Sequence, residues 1–136
     1  MRSILDEGKD IVAELGRTGN PELLKHLFKL RTQDWEYHIM SNEFGTVGAF
    51  SDLSKMSSIN GFNLISTSVE IVLEQVDPNF FITALSLLLE CICISKTTEM
   101  PYSLSEKLDE LKGKIIETEN EEAQRYLDSI LHWYRV

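Results

Sequence analysis

Side chains that could support catalysis or metal binding are few in this chain. The 136-residue sequence has two cysteines and three histidines. Cys91 and Cys93 lie in the most apolar segment, where a helix would point them in nearly opposite directions. A zinc site needs more ligands at compatible spacing than these thiols and His26, His38 and His132 provide. We expect buried, structural thiols in a reducing cytoplasm and no metal site.

The motifs of common catalytic sites are also missing. Gly45 and Gly48 have neither the spacing nor the lysine of a phosphate-binding loop, and there is no Gly-x-Ser-x-Gly nucleophile elbow. Glu22 and His26 lie one helical turn apart, which could support a metal or an acid/base pair. Such polar pairs are, however, common on solvated helix faces, and a solvated face is the better interpretation. We therefore predict that the chain is not an enzyme and needs no cofactor.

The most informative local pattern is a run of aromatic and acidic residues. Asp34, Trp35, Glu36, Tyr37 and His38 follow one another without interruption. Large aromatic side chains are favoured in the centres of protein interfaces, so this run predicts a partner-binding anchor. The same aromatics could instead close one end of the core, and the two roles are compatible.

Charge is strongly acidic and unevenly distributed. The 22 Asp and Glu residues outnumber the 13 Lys and Arg residues, which gives a net charge of −9. A surface of that sign repels phosphate backbones and anionic lipids, so we expect no direct nucleic-acid or membrane binding. Between residues 32 and 95 the only base is Lys55. The acids of this stretch that we expect to be exposed are Glu36, Glu43, Asp52, Glu70 and Glu74.

Apolar residues recur at helical spacing along most of the chain, and helix-start signals separate them. Each signal pairs a capping side chain with a residue favoured in the first helical turn. The pairs are Asn20 with Pro21, Asp77 with Pro78, Ser103 with Glu106, and Asn120 with Glu121. Asp34 could start a further helix, and Ser51 or Asp52 a short one. Residues 57–63 have the Ser, Asn and Gly content of a loop.

Residues 65–71 could form either a helix or a strand. They alternate β-branched with polar residues, as a half-buried strand does. Ile65, Val69, Val72 and Val76, however, recur at helical spacing over a distance that a strand of ordinary length would not sustain. Helix is therefore favoured, and strand remains open.

Residues 78–94 are apolar nearly all round, so a helix formed by them must be covered on most sides and should occupy the centre of the protein. The apolar tract is shorter than the roughly 20 residues of a membrane span and contains Thr83, Ser86 and Glu90. We predict a single all-α domain over residues 1–136. About six or seven helices would stack as αα-hairpins, in a short HEAT/armadillo-like superhelix or an irregular bundle.

Three groups of residues follow one another near the start of the chain. They are Leu23, Leu24, Leu27, Phe28 and Leu30, then Trp35, Glu36, Tyr37 and His38, then Glu43, Phe44 and Gly45. This succession resembles the opening of small HEAT-like helical immunity proteins of bacterial polymorphic toxin and contact-dependent growth inhibition systems. The resemblance covers about residues 20–50 and, more loosely, the helical remainder, although clear later repeats are missing. It implies a cytoplasmic inhibitor that binds one toxin domain, often a nuclease.

The sequence thus leads to two hypotheses about function. The first is an immunity protein that occludes the active site of a cognate toxin domain, with a basic nuclease as the expected toxin. The alternative is a non-inhibitory helical-repeat adaptor that binds another basic protein. The predicted partner-binding residues are Asp34, Trp35, Glu36, Tyr37, Glu43, Asp52, Glu70 and Glu74.

Overall fold

A computed structural model describes residues 4–33 and 50–136. These residues form α-helices and one 3-10 helix, without a strand, so the all-α prediction is confirmed. The bounds are α1 Ile4–Thr18, α2 Pro21–Gln33, the 3-10 helix η1 Ser51–Lys55, α3 Ser58–Glu74, α4 Pro78–Ser95, α5 Tyr102–Thr118 and α6 Glu121–Tyr134. The helix predicted to start at Asp34 lies outside the described residues.

The helices pack as successive αα-hairpins. α1 packs on α2, α3 on α4, and α5 on α6. The second and third hairpins stack in parallel register: their first helices, α3 and α5, contact each other, and so do their second helices, α4 and α6. The first hairpin contacts the second through α2, which packs on both α3 and α4. The segment 65–71 lies inside α3, so helix is confirmed there over strand.

Helix α4 is at the centre, as its apolar circumference predicts. It contacts α2, α3, α6 and η1, and its large apolar side chains Leu85, Leu87, Leu88 and Ile92 have no exposed surface. By length and composition alone α4 could cross a membrane, but half of it is buried inside the structure. Coverage by neighbouring helices accounts for its composition.

Three of the four predicted helix starts are confirmed. The Asp77 carboxylate accepts hydrogen bonds from the backbone N–H groups of Asn79 and Phe80, at 2.8 and 3.2 Å, and Pro78 follows as the first helical residue. The side-chain oxygens of Asn20 and Asn120 each accept from the N–H two residues later, at 3.0 and 2.8 Å. These caps satisfy N–H groups that a helix start leaves without an intrahelical partner.

The fourth predicted start is wrong. α5 begins at Tyr102, after Pro101 and without a side-chain cap, so Ser103 lies inside the helix rather than before it. The N–H of Ser105 donates to the carbonyl of Pro101 at 3.0 Å, which places the helix start at the proline. Pro101 has no N–H to satisfy and favours the extended backbone found there, whereas capping-box spacing alone cannot locate a helix start.

The predicted loop at residues 57–63 is also wrong, because α3 begins at Ser58. The Ser57 hydroxyl accepts a hydrogen bond from the N–H of Asn60 at 3.2 Å and caps the helix. Gly61 is buried against α4, where an added Cβ would meet the Cβ of Ile94 at 2.9 Å. This glycine permits close helix packing and does not mark a turn.

The short helix predicted near Ser51 and Asp52 is η1, which contains the buried Leu53 and ends just before Met56. Neither predicted residue caps it: Phe50 occupies the N-cap position, with no side-chain hydrogen bond. The Asp52 carboxylate instead binds Arg31.

Candidate protein-binding surface

The structure describes three of the eight predicted partner-binding residues: Asp52, Glu70 and Glu74. Asp34, Trp35, Glu36, Tyr37 and Glu43 lie outside the described residues. Asp52 is on η1, whereas Glu70 and Glu74 are one turn apart on α3. The two positions differ in burial and in the use of the carboxylate.

Asp52 forms a two-pronged ion pair with Arg31 of α2. Nη1 and Nη2 of Arg31 donate to the two carboxylate oxygens at 2.9 and 2.6 Å. The Arg31 side chain is 2% exposed and that of Asp52 is 35% exposed. The guanidinium also lies 5.8 Å from the ring centroid of Phe50, within cation–π range. Asp52 is therefore half-buried and serves first to tie η1 to α2.

Burial of Arg31 was missed at the sequence level, although a signal was present. Leu24, Leu27, Phe28 and Arg31 follow one another at i, i+3, i+4 and i+7, which is the spacing of one helix face. The first three are buried, and so is Arg31. A charged residue in phase with an apolar face therefore predicts a buried ion pair, here with Asp52.

Glu90 of α4 also belongs to this charged region, because its carboxyl interacts with the charge of Asp52. This interaction was not predicted from the sequence. Burial, and secondarily the negative charge of Asp52, raises the pKa of the Glu90 carboxyl. Both effects disfavour the ionised form. Its signal was an acid placed within the most apolar helix of the chain.

Glu70 and Glu74 are both exposed, as predicted, and lie beside an open groove between α2 and α3. Glu74 lines the groove, whose volume is about 470 Å³, together with Lys25 and Lys29 of α2 and Ile71 of α3. Oε2 of Glu70 lies 3.5 Å from Nζ of Lys25. The α3 acids thus face α2 bases, and the groove carries both signs of charge.

Glu22 and His26 also line this groove and are exposed, in agreement with the solvated face predicted for them. Nε2 of His26 lies 3.6 Å from Oε1 of Glu7 on α1. When the imidazole is protonated, this contact becomes an ion pair between the first two helices. The groove is bordered by charged side chains of α2 and α3, and His26 connects it to Glu7 of α1.

The two thiols are in different environments, so the expectation that both are buried is wrong for one of them. Cys91 is buried and accepts a hydrogen bond from the hydroxyl of Ser68 at 3.3 Å, whereas Cys93 is exposed. Burial raises the pKa of the Cys91 thiol to about 12, and burial and the charge of Glu90 raise that of Cys93. Both shifts favour the neutral thiol over the nucleophilic thiolate.

Within residues 4–33 and 50–136, no three His, Cys, Asp or Glu side chains come close enough together to hold a metal ion. The described surface instead offers the charged groove and its α3 acids. No known protein family, curated protein or solved structure matches the chain.

Proposed function

We propose that this chain is an immunity protein that binds and neutralises a basic domain of a cognate bacterial toxin, with a nuclease as the expected toxin. One observation carries the proposal: Glu70 and Glu74 are exposed on successive turns of α3, beside an open groove, in a protein with a net charge of −9. Acidic side chains displayed on a rigid helix attract a basic surface and set its orientation.

The shape of the groove favours a protein partner. It is an open groove of about 470 Å³ along two helices, bordered by long charged side chains. Small-molecule sites enclose most of their ligand in mainly apolar walls, with few polar groups. An open charged trough instead fits a protein segment lying along it.

Inhibition would follow from charge mimicry. A nuclease binds the phosphates of its substrate with basic side chains. Carboxylates on α3 would occupy those side chains and cover the cleft, so that substrate is excluded without any reaction in the inhibitor. The Lys25–Glu70 contact is long, at 3.5 Å, and Glu70 is exposed, so the contact costs little to break when a partner's base competes for Glu70.

The aromatic run remains the predicted anchor of the interface. The residue types and their order in the sequence predict that five residues contact the partner: Asp34, Trp35, Glu36, Tyr37 and Glu43. We expect Trp35→Ala to increase the dissociation rate more than it decreases the association rate, because a desolvated anchor acts after contact has formed. Equal effects on both rates would contradict this role.

The proposal is tested by co-expressing the chain with the product of its neighbouring gene. We expect the two proteins to co-purify and the chain to restore growth when that product is toxic. A Glu70→Lys/Glu74→Lys variant should protect less well than Glu106→Lys/Glu110→Lys, which makes the same change of charge at the same spacing on α5. Stable binding without loss of toxicity would favour the adaptor, and no binding would contradict both hypotheses.

A further inference from the structure

A small apolar pocket lies where the α3–α4 turn meets the α5–α6 turn. Val76, Pro78, Phe81 and Ile82 line one side, and Thr118 and Asn120 line the other. Its volume is about 130 Å³, and its walls are mostly apolar. That space accommodates one aliphatic side chain.

Val76 makes this end of the molecule unusually apolar for an exposed turn. Val76 is 94% exposed, more than any other large apolar residue in the described part of the chain. Next to it, Phe81 is buried and Ile82 is half-buried at the pocket. A protruding apolar side chain beside an apolar recess is typical of an interaction site.

The chain segments that form the pocket are acidic, which favours a basic partner. Residues 74–82 and 114–122 together contain six acids and one base. The acids are Glu74, Asp77, Glu117, Glu119, Glu121 and Glu122, all of them exposed. A complementary partner would place an apolar side chain in the pocket and basic side chains around it.

The one base, Lys114, is held by the protein itself. Its ammonium donates a hydrogen bond to the carbonyl of Leu73 in the last turn of α3, at 2.7 Å, and lies 5.5 Å from the Phe81 ring centroid. The positive charge thus interacts with the negative end of α3 and with an aromatic face. Its aliphatic stem helps to wall the pocket without presenting a free cation to a partner.

This pocket adjoins the groove between α2 and α3 through one shared residue. Gln75 lines both, and Glu74 lines the groove one residue earlier. We propose that the pocket receives one aliphatic side chain of a basic protein segment, whose Lys or Arg residues face the surrounding acids. The inference rests on the proposed binding of a basic protein, and it locates the apolar anchor point of that partner.

The direct test uses a peptide with a central leucine between two lysines on each side, followed by ¹H–¹⁵N NMR of the full chain. We expect saturable shift changes at residues 75–77, 79–82 and 114–120. Replacing the leucine with glycine should weaken binding by about fivefold or more, because the buried aliphatic group is lost. Replacing the lysines with glutamates should abolish binding. Absence of shifts at these residues, or equal binding of all three peptides, would overturn the inference.

Matched variants separate the apolar from the electrostatic contribution. Val76→Ser should weaken binding of the lysine–leucine peptide by about threefold or more. Ile59→Ser is the control: Ile59 lies at the other end of α3 and is 71% exposed, so its replacement should leave peptide binding unchanged. Glu117→Lys should also weaken binding. Glu106→Lys is its control, because it lies eleven residues earlier on α5, roughly 16 Å away along the axis. Equal effects of test and control variants would contradict the placement.

The peptide experiment also distinguishes failure of this inference from failure of the proposed function. If the neighbouring gene product binds and is neutralised while Val76→Ser and Glu117→Lys change nothing, the partner docks elsewhere and only the pocket assignment is wrong. If the peptide binds at the pocket but the gene product neither binds nor loses toxicity, the immunity function is wrong and the basic-segment site stands.

Discussion

Two ion pairs connect α2 to later parts of the chain, and they are built differently. Arg31 and Asp52 meet through two hydrogen bonds of 2.9 and 2.6 Å, with the arginine side chain 2% exposed. Lys25 and Glu70 approach only to 3.5 Å, with side chains 37% and 57% exposed. Both acids belong to the acid-rich middle of the sequence, yet their surroundings give them different uses.

The difference teaches that acidic composition alone does not define a binding surface. A carboxylate that pairs with a buried guanidinium cannot turn to a partner's base without a large cost, because water replaces it poorly at that buried site. An exposed carboxylate in a long contact can exchange its lysine for a partner's base at little cost. We therefore expect Asp52 to serve stability first, whereas Glu70 is the better candidate for binding.

The largest expected effect is that of Asp52→Ala. Removing this carboxylate should lower the free energy of unfolding by about 3 to 5 kcal/mol, because the buried Arg31 loses two charged hydrogen bonds. Urea denaturation at neutral pH measures the loss. Adding Arg31→Met should recover at least half of it, since the buried charge is then removed as well. A loss below about 1 kcal/mol for Asp52→Ala would place this pair with the exposed ones.

Leu88→Ala provides an apolar reference in the central helix. Leu88 has no exposed surface in the central helix, so this truncation should cost about 2 to 5 kcal/mol in denaturant unfolding. Ile116→Ala, at a side chain that is 65% exposed, should change stability by less than about 0.5 kcal/mol. Similar values for the two variants would show that α4 is not the core helix.

The Lys25–Glu70 pair should contribute much less to stability. A double-mutant cycle with Lys25→Ala and Glu70→Ala should give a coupling free energy of about 0.2 to 1 kcal/mol, decreasing as salt is added. A coupling comparable to that of Arg31 with Asp52 would erase the distinction between the two pairs. It would also count against replacement of Lys25 by a partner's base at Glu70.

Glu90 should produce the smallest effect, and one that depends on pH. Because its pKa is raised in the folded protein, the native state binds more protons than the unfolded state, and stability falls as pH rises from the ordinary carboxyl pKa through the raised one. Glu90→Gln removes this decline. We therefore expect its stability relative to wild type to be greater at pH 7 than at pH 4, in parallel denaturation curves. The opposite trend would contradict the raised pKa.

Much of the fold could be predicted because its signals are local. Asp77 followed by Pro78 satisfies the first turn of a helix, and apolar periodicity marks the buried face. Gly61 shows where local reasoning fails. In sequence it is typical of a turn, but its function depends on Ile94, more than thirty residues away, and no local pattern encodes that contact.

The candidate surface could be predicted only in part, for a related reason. Exposure of Glu70 and Glu74 follows from their polar character on a mostly buried helix. Their opposition to Lys25 depends on how α2 packs on α3, which composition does not specify. Similarly, the apolar pocket exists because two turns distant in sequence come together at one end of the stack.

The central claim is that a basic partner is drawn to the exposed acids of α3. The most direct measurement is the association rate constant with the neighbouring gene product at low and high salt, for wild type and for Glu70→Lys/Glu74→Lys. Opposite charges attract over about 8 to 10 Å before salt screens them, so the variant should associate several-fold more slowly and with a flatter salt dependence. Association that is insensitive to salt and identical in the two proteins would contradict the claim.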